Sequence, residues 1–120
     1  MSEQILKIVA VALGGAFGSA ARYSLGLIPN PFPFPLWTFA VNILGALLIG
    51  FIIGQQSKLG ATTFVGLKTG FCGGFTTFST FSQETLVLFE NGRYITGALY
   101  ALLSLVLCVL GVALGQKLAG

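Results

Sequence analysis

The sequence predicts an all-α integral membrane protein with four transmembrane helices. Three observations carry that prediction. The 120-residue chain is 55% hydrophobic and only 8% charged, where a soluble domain carries roughly 25% charged residues. Its mean hydropathy is +0.93. Its apolar stretches approach the ~20 residues that a bilayer crossing needs, and the polar segments between them are too short to hold a soluble domain.

The first crossing is read at about 5–28. Ser19-Ala20-Ala21 has the look of a signal cleavage site, but the preceding segment is barely basic and the apolar stretch is full length, so a retained helix is expected. Pro29, Pro31, Pro33 and Pro35 then form a Pro/Phe connector that cannot continue a helix. The second crossing spans about 36–54, followed by the polar loop Gln55-Gln56-Ser57-Lys58. The third spans about 62–89, the loop Glu90-Asn91-Gly92-Arg93 follows, and the fourth spans about 94–115. Residues 1–120 thus make one membrane domain. Glycines recur four apart at Gly14 and Gly18, at Gly66, Gly70 and Gly74, and at Gly111 and Gly115. That spacing lets helices approach closely in lipid and points to a tightly packed bundle and a dimer.

The net charge of +3 comes from six scattered cations, so there is no basic patch for nucleic acid. With no histidine and three acids (Glu3, Glu84 and Glu90), a side-chain metal cluster, a catalytic triad and paired-carboxylate chemistry all lack material. The chain is not expected to be an enzyme. Cys72 and Cys108 fall in apolar segments and read as small buried hydrophobes. With four crossings, Lys7, Lys58, Lys117 and in one reading Lys68 share one side against Arg22 and Arg93 on the other. That bias is weak under the positive-inside rule and permits insertion in both orientations. No internal repeat supplies inverted halves, and an antiparallel homodimer would provide the same two-fold symmetry.

Residues 70–82 interrupt this pattern. Gly70, Gly73 and Gly74 loosen the backbone, and non-helical backbone at membrane depth is tolerated only where it is buried in protein or lines a wet path. A break carrying an ion or substrate site is expected here. Phe71, Phe75, Phe78 and Phe81, spaced four, three and three, fall on one helical face. They are either a packing stripe or, with Thr76, Thr77, Ser79, Thr80 and Ser82 between them, a lining whose positive ring edges and hydroxyls contact an anion. Asn42, midway along the second crossing, either bonds a neighbouring helix or donates to an anion, and Thr38 four residues earlier extends the second idea. Tyr100, Ser104 and Cys108 form a stripe on the last crossing. It is a polar track unless Ser104 bonds its own i−4 carbonyl. Arg22 and Lys68 either snorkel to the interface or build a basic vestibule. Glu84 would repel an anion unless paired, and a cation or hydroxyl partner is expected. Two rival readings stand beside an ion path. A proton-coupled exporter would need a deep acid, for which Glu84 is the sole candidate, and an assembly subunit would need no path at all.

The run from Gly70 to Phe81 (Gly-Phe-Cys-Gly-Gly-Phe-Thr-Thr-Phe-Ser-Thr-Phe) resembles the signature of the bacterial fluoride channel family, Fluc or CrcB. Gly14-Gly15-Ala16-Phe17-Gly18 with Arg22-Tyr23, and Thr38-Phe39-Ala40-Val41-Asn42 with Gly45, are similar to its first two helices. The resemblance implies a passive, fluoride-selective channel of the inner membrane that protects the cell from fluoride. It also implies an antiparallel dual-topology homodimer with two pores, a third helix broken at its middle, and a structural sodium ion on the two-fold axis. By motif position, Gly73 and Thr76 would supply backbone carbonyls to sodium. Phe78 and Phe81 match the pore phenylalanines, Asn42 the pore asparagine, Tyr100 and Ser104 the polar track, and Arg22 the vestibule arginine. Cys108 departs from the pattern, since a hydroxyl residue is the usual third member of that track and a thiol is a weaker donor.

Overall fold

The computed structural model describes residues 2–120, and among these the chain is helical without a strand. Helix α1 spans Glu3–Gly26 and is opened by Ser2, whose hydroxyl accepts from the Ile5 amide. Helix α2 spans Leu36–Gly54. Between them, Asn30 accepts from the Phe32 amide and donates to the Phe34 carbonyl, and the Trp37 indole donates to the Ile28 carbonyl. A single 3₁₀ turn, Gln56–Lys58, leads on. A helical rod then follows in three pieces. These are α3 (Ala61–Val65), a π-helical stretch (Gly66–Cys72) and α4 (Gly73–Phe75). After a break come α5 (Phe78–Glu90) and α6 (Tyr94–Ala119). Gly92, at φ +76, closes the α5–α6 turn. The left-handed conformation there lets the Arg93 amide reach back to the Leu88 carbonyl at 2.8 Å, the bond pattern that terminates many helices at glycine.

Among the described residues, α1, α2 and α6 are long and apolar enough to cross a membrane. The 61–90 region is divided, and none of its pieces has that length. Their outward surfaces agree with a lipid environment. Leu13, Leu102, Leu105 and Val109 are all more than half exposed, far more apolar surface than a soluble monomer presents.

Glycine decides how the helices pair. The α1 residues meet the 61–75 rod in the same order along both, so the two run parallel. A Cβ on Gly18 would fall on the Phe71 carbonyl, and one on Gly74 would lie 2.5 Å from the Gly15 carbonyl. The α2–α6 pair is built alike, with a Cβ at Gly115 falling on the Leu47 carbonyl and one at Gly50 on the Val112 carbonyl. Lipid offers no hydrophobic drive between helices, so close backbone packing of this kind must hold them.

The break is not where the glycines predicted it. Gly73 is helical at φ −62, ψ −38, and Gly70 and Gly74 serve the contact with α1. The chain turns extended instead at Thr76 (φ −94, ψ 161) and Thr77 (φ −151, ψ 119). The reason is a set of competing partners for the threonine backbone, described next. One consequence is that the four phenylalanines do not share one face. Phe71 and Phe75 stack at 5.6 Å before the break, and Phe78 and Phe81 meet at 5.7 Å beyond it.

Candidate functional site

The Thr76 amide makes the last helical bond of the 61–75 rod, and the Thr77 and Thr80 amides are turned away from their helical acceptors. The Thr76 amide bonds the Cys72 carbonyl at 3.0 Å, and the Thr76 hydroxyl donates to the same oxygen at 2.8 Å. The Thr77 amide donates to Asn42 Oδ1 at 2.8 Å, and Asn42 Nδ2 donates to the Thr77 carbonyl at 3.1 Å. This two-point clip fixes the orientation of the Asn42 amide, because only its oxygen can receive an N–H. Thr77 Oγ1 then accepts from the Thr80 amide at 3.2 Å and caps α5. With the Thr77 amide on Asn42 Oδ1, the Gly73 carbonyl loses its helical partner among the described residues. With the Thr80 amide on Thr77 Oγ1, the Thr76 carbonyl loses its own.

Two cavities flank this clip, and Thr77 borders both. The larger, about 710 Å³, is an open groove between α2, the broken rod and α6. Asn42, Gly73, Thr76, Phe78, Phe81 and Ser104 all border it. Its wall is mostly apolar, which makes the state of its few polar groups decisive. Ser104 Oγ is buried and has no hydrogen-bond partner among the described residues, so it does not bond its own i−4 carbonyl. Asn42 has one N–H engaged by Thr77 and another left over. Phe78 is 79% exposed, with its ring presented to the groove. Cys108 borders the groove one turn beyond Ser104, and so does Lys68, whose ammonium sits 5.7 Å from the Phe64 ring centroid.

The smaller cavity, about 210 Å³, is bordered by Arg22, Trp37, Thr38, Thr77 and Thr80. Arg22 Nε donates to the Gly74 carbonyl at 3.0 Å, and Ser19 Oγ approaches the same oxygen at 3.5 Å. Of the remaining sequence candidates, Tyr100, Glu84 and Ser79 border neither cavity. Tyr100 is buried, its ring 5.1 Å from that of Phe81, and its hydroxyl donates to Glu84 Oε1 at 3.1 Å. Thr38 donates to Glu84 Oε2, also at 3.1 Å. Glu84 therefore has the hydroxyl partners expected of it, and the donors of Thr38 and Tyr100 are directed at a carboxylate. Ser79 is exposed and borders neither cavity.

Sequence reasoning placed Thr77 only among the lining hydroxyls and Ser19 only in a small-residue run, and expected neither to hold the break. A signal for Thr77 existed, since a threonine immediately before a helical run is a capping pattern. Ser19 had none, because its role depends on which turn of the rod faces α1. No cluster of three or more His, Cys, Asp or Glu that could hold a metal occurs among the described residues.

Comparison with known proteins gives a consistent picture. The family model described as CrcB-like protein, Camphor Resistance (CrcB), matches residues 9–116. A protein of Ignicoccus hospitalis named fluoride-specific ion channel FluC is 42% identical over 115 residues, covering 93% of this chain and 94% of its own. One of the same name from Nitratidesulfovibrio vulgaris is 48% identical over 120 residues, covering 92% and 97%. Another from Ruminiclostridium cellulolyticum is 40% identical over 123 residues, covering 98% and 95%.

Proposed function

Because this chain belongs to the CrcB family, we propose that it is a fluoride-selective passive channel of the bacterial inner membrane, exporting fluoride and so conferring fluoride resistance. The protein is a multi-pass channel and not an enzyme. Ser104 is the observation that carries the reading. A buried hydroxyl left unpaired costs about 1–3 kcal/mol, and this one borders a groove walled by Phe78, Phe81 and Asn42. Moving an isolated ion from water into a low-dielectric medium costs tens of kcal/mol in a Born estimate. The wall must therefore replace the water that fluoride sheds. The Ser104 hydroxyl and the spare Asn42 N–H are donors, and the ring edges of Phe78 and Phe81 carry partial positive charge. A lining without a formal positive charge at its centre binds weakly enough to release the ion, as conduction requires.

The working unit in this reading is an antiparallel, dual-topology homodimer with two pores. The four-crossing subunit includes the divided 61–90 region as its third passage. A structural sodium ion lies on the two-fold axis, held by the Gly73 and Thr76 carbonyls of both copies. What supports the sodium is the pair of carbonyls that lack helical partners at the border of the groove. Oxygen dipoles of this kind suit a hard cation. When bound, the ion supplies fixed positive charge at the break without a titratable side chain.

The test is fluoride efflux from liposomes holding the purified protein, read with a fluoride electrode beside a chloride control and a Phe81→Ile variant. Rapid fluoride loss without chloride loss, abolished in the variant, is expected. Folded, dimeric protein that passes no fluoride overturns the reading and turns attention to Glu84 and an exporter.

A further inference from the structure

The role of Arg22 is open to two physical accounts. As a cation beside the smaller cavity it could concentrate anions. Its geometry argues for something else. In an uninterrupted helix the Gly74 carbonyl would accept from the Phe78 amide four residues on. The break at Thr76–Thr77 removes that partner and leaves a carbonyl at the C-terminal end of the 61–75 rod, where a cation also meets the negative pole of the helix. Arg22 Nε takes its place at 3.0 Å, with Ser19 Oγ at 3.5 Å on the same oxygen. Both donors come from the α1 face that packs on Gly74 through the Gly15 carbonyl. On the other side, Asn42 of α2 holds the Thr77 backbone. The break is thus clamped from α1 before it and from α2 after it.

We propose that Arg22 is a positioning residue, and that its Nε–H, rather than its charge, holds the broken third passage open by standing in for the missing Phe78 amide. The flux arm of the test rests on the fluoride-channel reading above, and the exchange arm does not. Two substitutions separate hydrogen bond from charge. In Arg22→Gln the amide nitrogen stands the same number of bonds from Cα as Arg Nε, so the donor stays and the charge goes. In Arg22→Lys the charge stays, but a methylene occupies the Nε position and the ammonium lies one bond farther out.

Hydrogen exchange over residues 70–85 in the full-length protein is the first readout, and fluoride efflux from liposomes is the second. Loss of one such bond is expected to speed exchange in Arg22→Lys by about tenfold over wild type, with efflux falling alongside. Arg22→Gln is expected to exchange at nearly the wild-type rate and to keep the larger share of efflux. Arg22→Gln exchanging as fast as Arg22→Lys overturns the proposal, whether both are slow or both are fast. Efflux retained by Lys and lost by Gln also overturns it, in favour of the charge. If wild type passes no fluoride, the channel reading fails while the exchange result still decides this one.

Discussion

Asn42 and Thr77 are joined by two hydrogen bonds, one in each direction, across the only extended residues of the 61–90 region. A side-chain amide on α2 thereby does for the Thr77 backbone what a neighbouring strand would do. The question of whether Asn42 bonds a helix or faces the ion has a two-part answer in geometry. One edge of the amide closes the break, and one N–H remains beside the groove.

Asn42→Ala leaves the Thr77 N–H and C=O unpaired, at about 1–3 kcal/mol each. The expected result is faster hydrogen exchange at Thr77 and fluoride efflux lower by about tenfold or more. Asn42→Asp keeps an acceptor for the Thr77 amide but opposes the Thr77 carbonyl with a second oxygen. Its exchange at Thr77 should lie between wild type and Asn42→Ala, and it should pass the least fluoride because it also places negative charge in the groove.

How much of this was legible depends on the range of the interaction. The apolar crossings, the Pro-rich connector and the Asn91-Gly92 turn are local patterns, and local patterns can be read from neighbours in sequence. The polar interruption at residues 70–82 was legible as an anomaly. Its position was not, because Gly70 and Gly74 looked like breakers and are contacts for α1, while the chain turns extended at Thr76 and Thr77, and Thr77 is held there by Asn42, 35 residues away. The polar stripe on α6 was read as one track. The structure separates it, since Glu84 draws the Tyr100 hydroxyl aside and leaves Ser104 unpaired. That distinction needs the relative rotation of α5 and α6, which no spacing rule encodes.

Ser104→Ala separates a functional hydroxyl from a structural one. The side chain makes no hydrogen bond to lose, and removing an unsatisfied buried donor is neutral to stabilising, by up to about 1 kcal/mol. Thermal unfolding in detergent should therefore hold or rise, while fluoride efflux falls. A variant that loses stability and keeps its efflux would place Ser104 in the packing alone.

Glu84 links α2, α5 and α6 through Thr38 and Tyr100. Tyr100→Phe and Thr38→Val each delete one bond to the carboxylate and are expected to destabilise by about 1–3 kcal/mol. The two share an acceptor residue, so their effects should not add, and a double-mutant cycle read by denaturation should show coupling of at least about 0.5 kcal/mol. Additive losses would mean that the two hydroxyls act independently.

Gly115 packs against the Leu47 carbonyl with no room for a side chain. Gly115→Ala must push α6 away from α2, and strain of this kind costs about 1–3 kcal/mol. A lower unfolding temperature is expected, whereas Gly26→Ala, where a Cβ meets nothing within 4 Å, should leave it in place. Equal losses at both positions would show that helix–helix approach is not the constraint.

Sodium is the last test, and it can be made without measuring flux. A ligand that binds only the folded protein stabilises it by about 2.7 kcal/mol at a hundred times its dissociation constant. If the Gly73 and Thr76 carbonyls of two copies hold sodium, replacing it with N-methylglucamine at constant ionic strength should lower the unfolding temperature and favour monomer over dimer. The carbonyls are backbone groups, so the side chains beside them offer a control. Thr76→Ser keeps the hydroxyl that bonds the Cys72 carbonyl at 2.8 Å and should keep the sodium dependence. Thr76→Val loses that bond, frees the turn, and should need more sodium to reach the same stability. An unfolding temperature indifferent to sodium in the wild type would remove the ion from the mechanism and leave the hydrogen bonds of Thr77, Asn42 and Arg22 to account for the break.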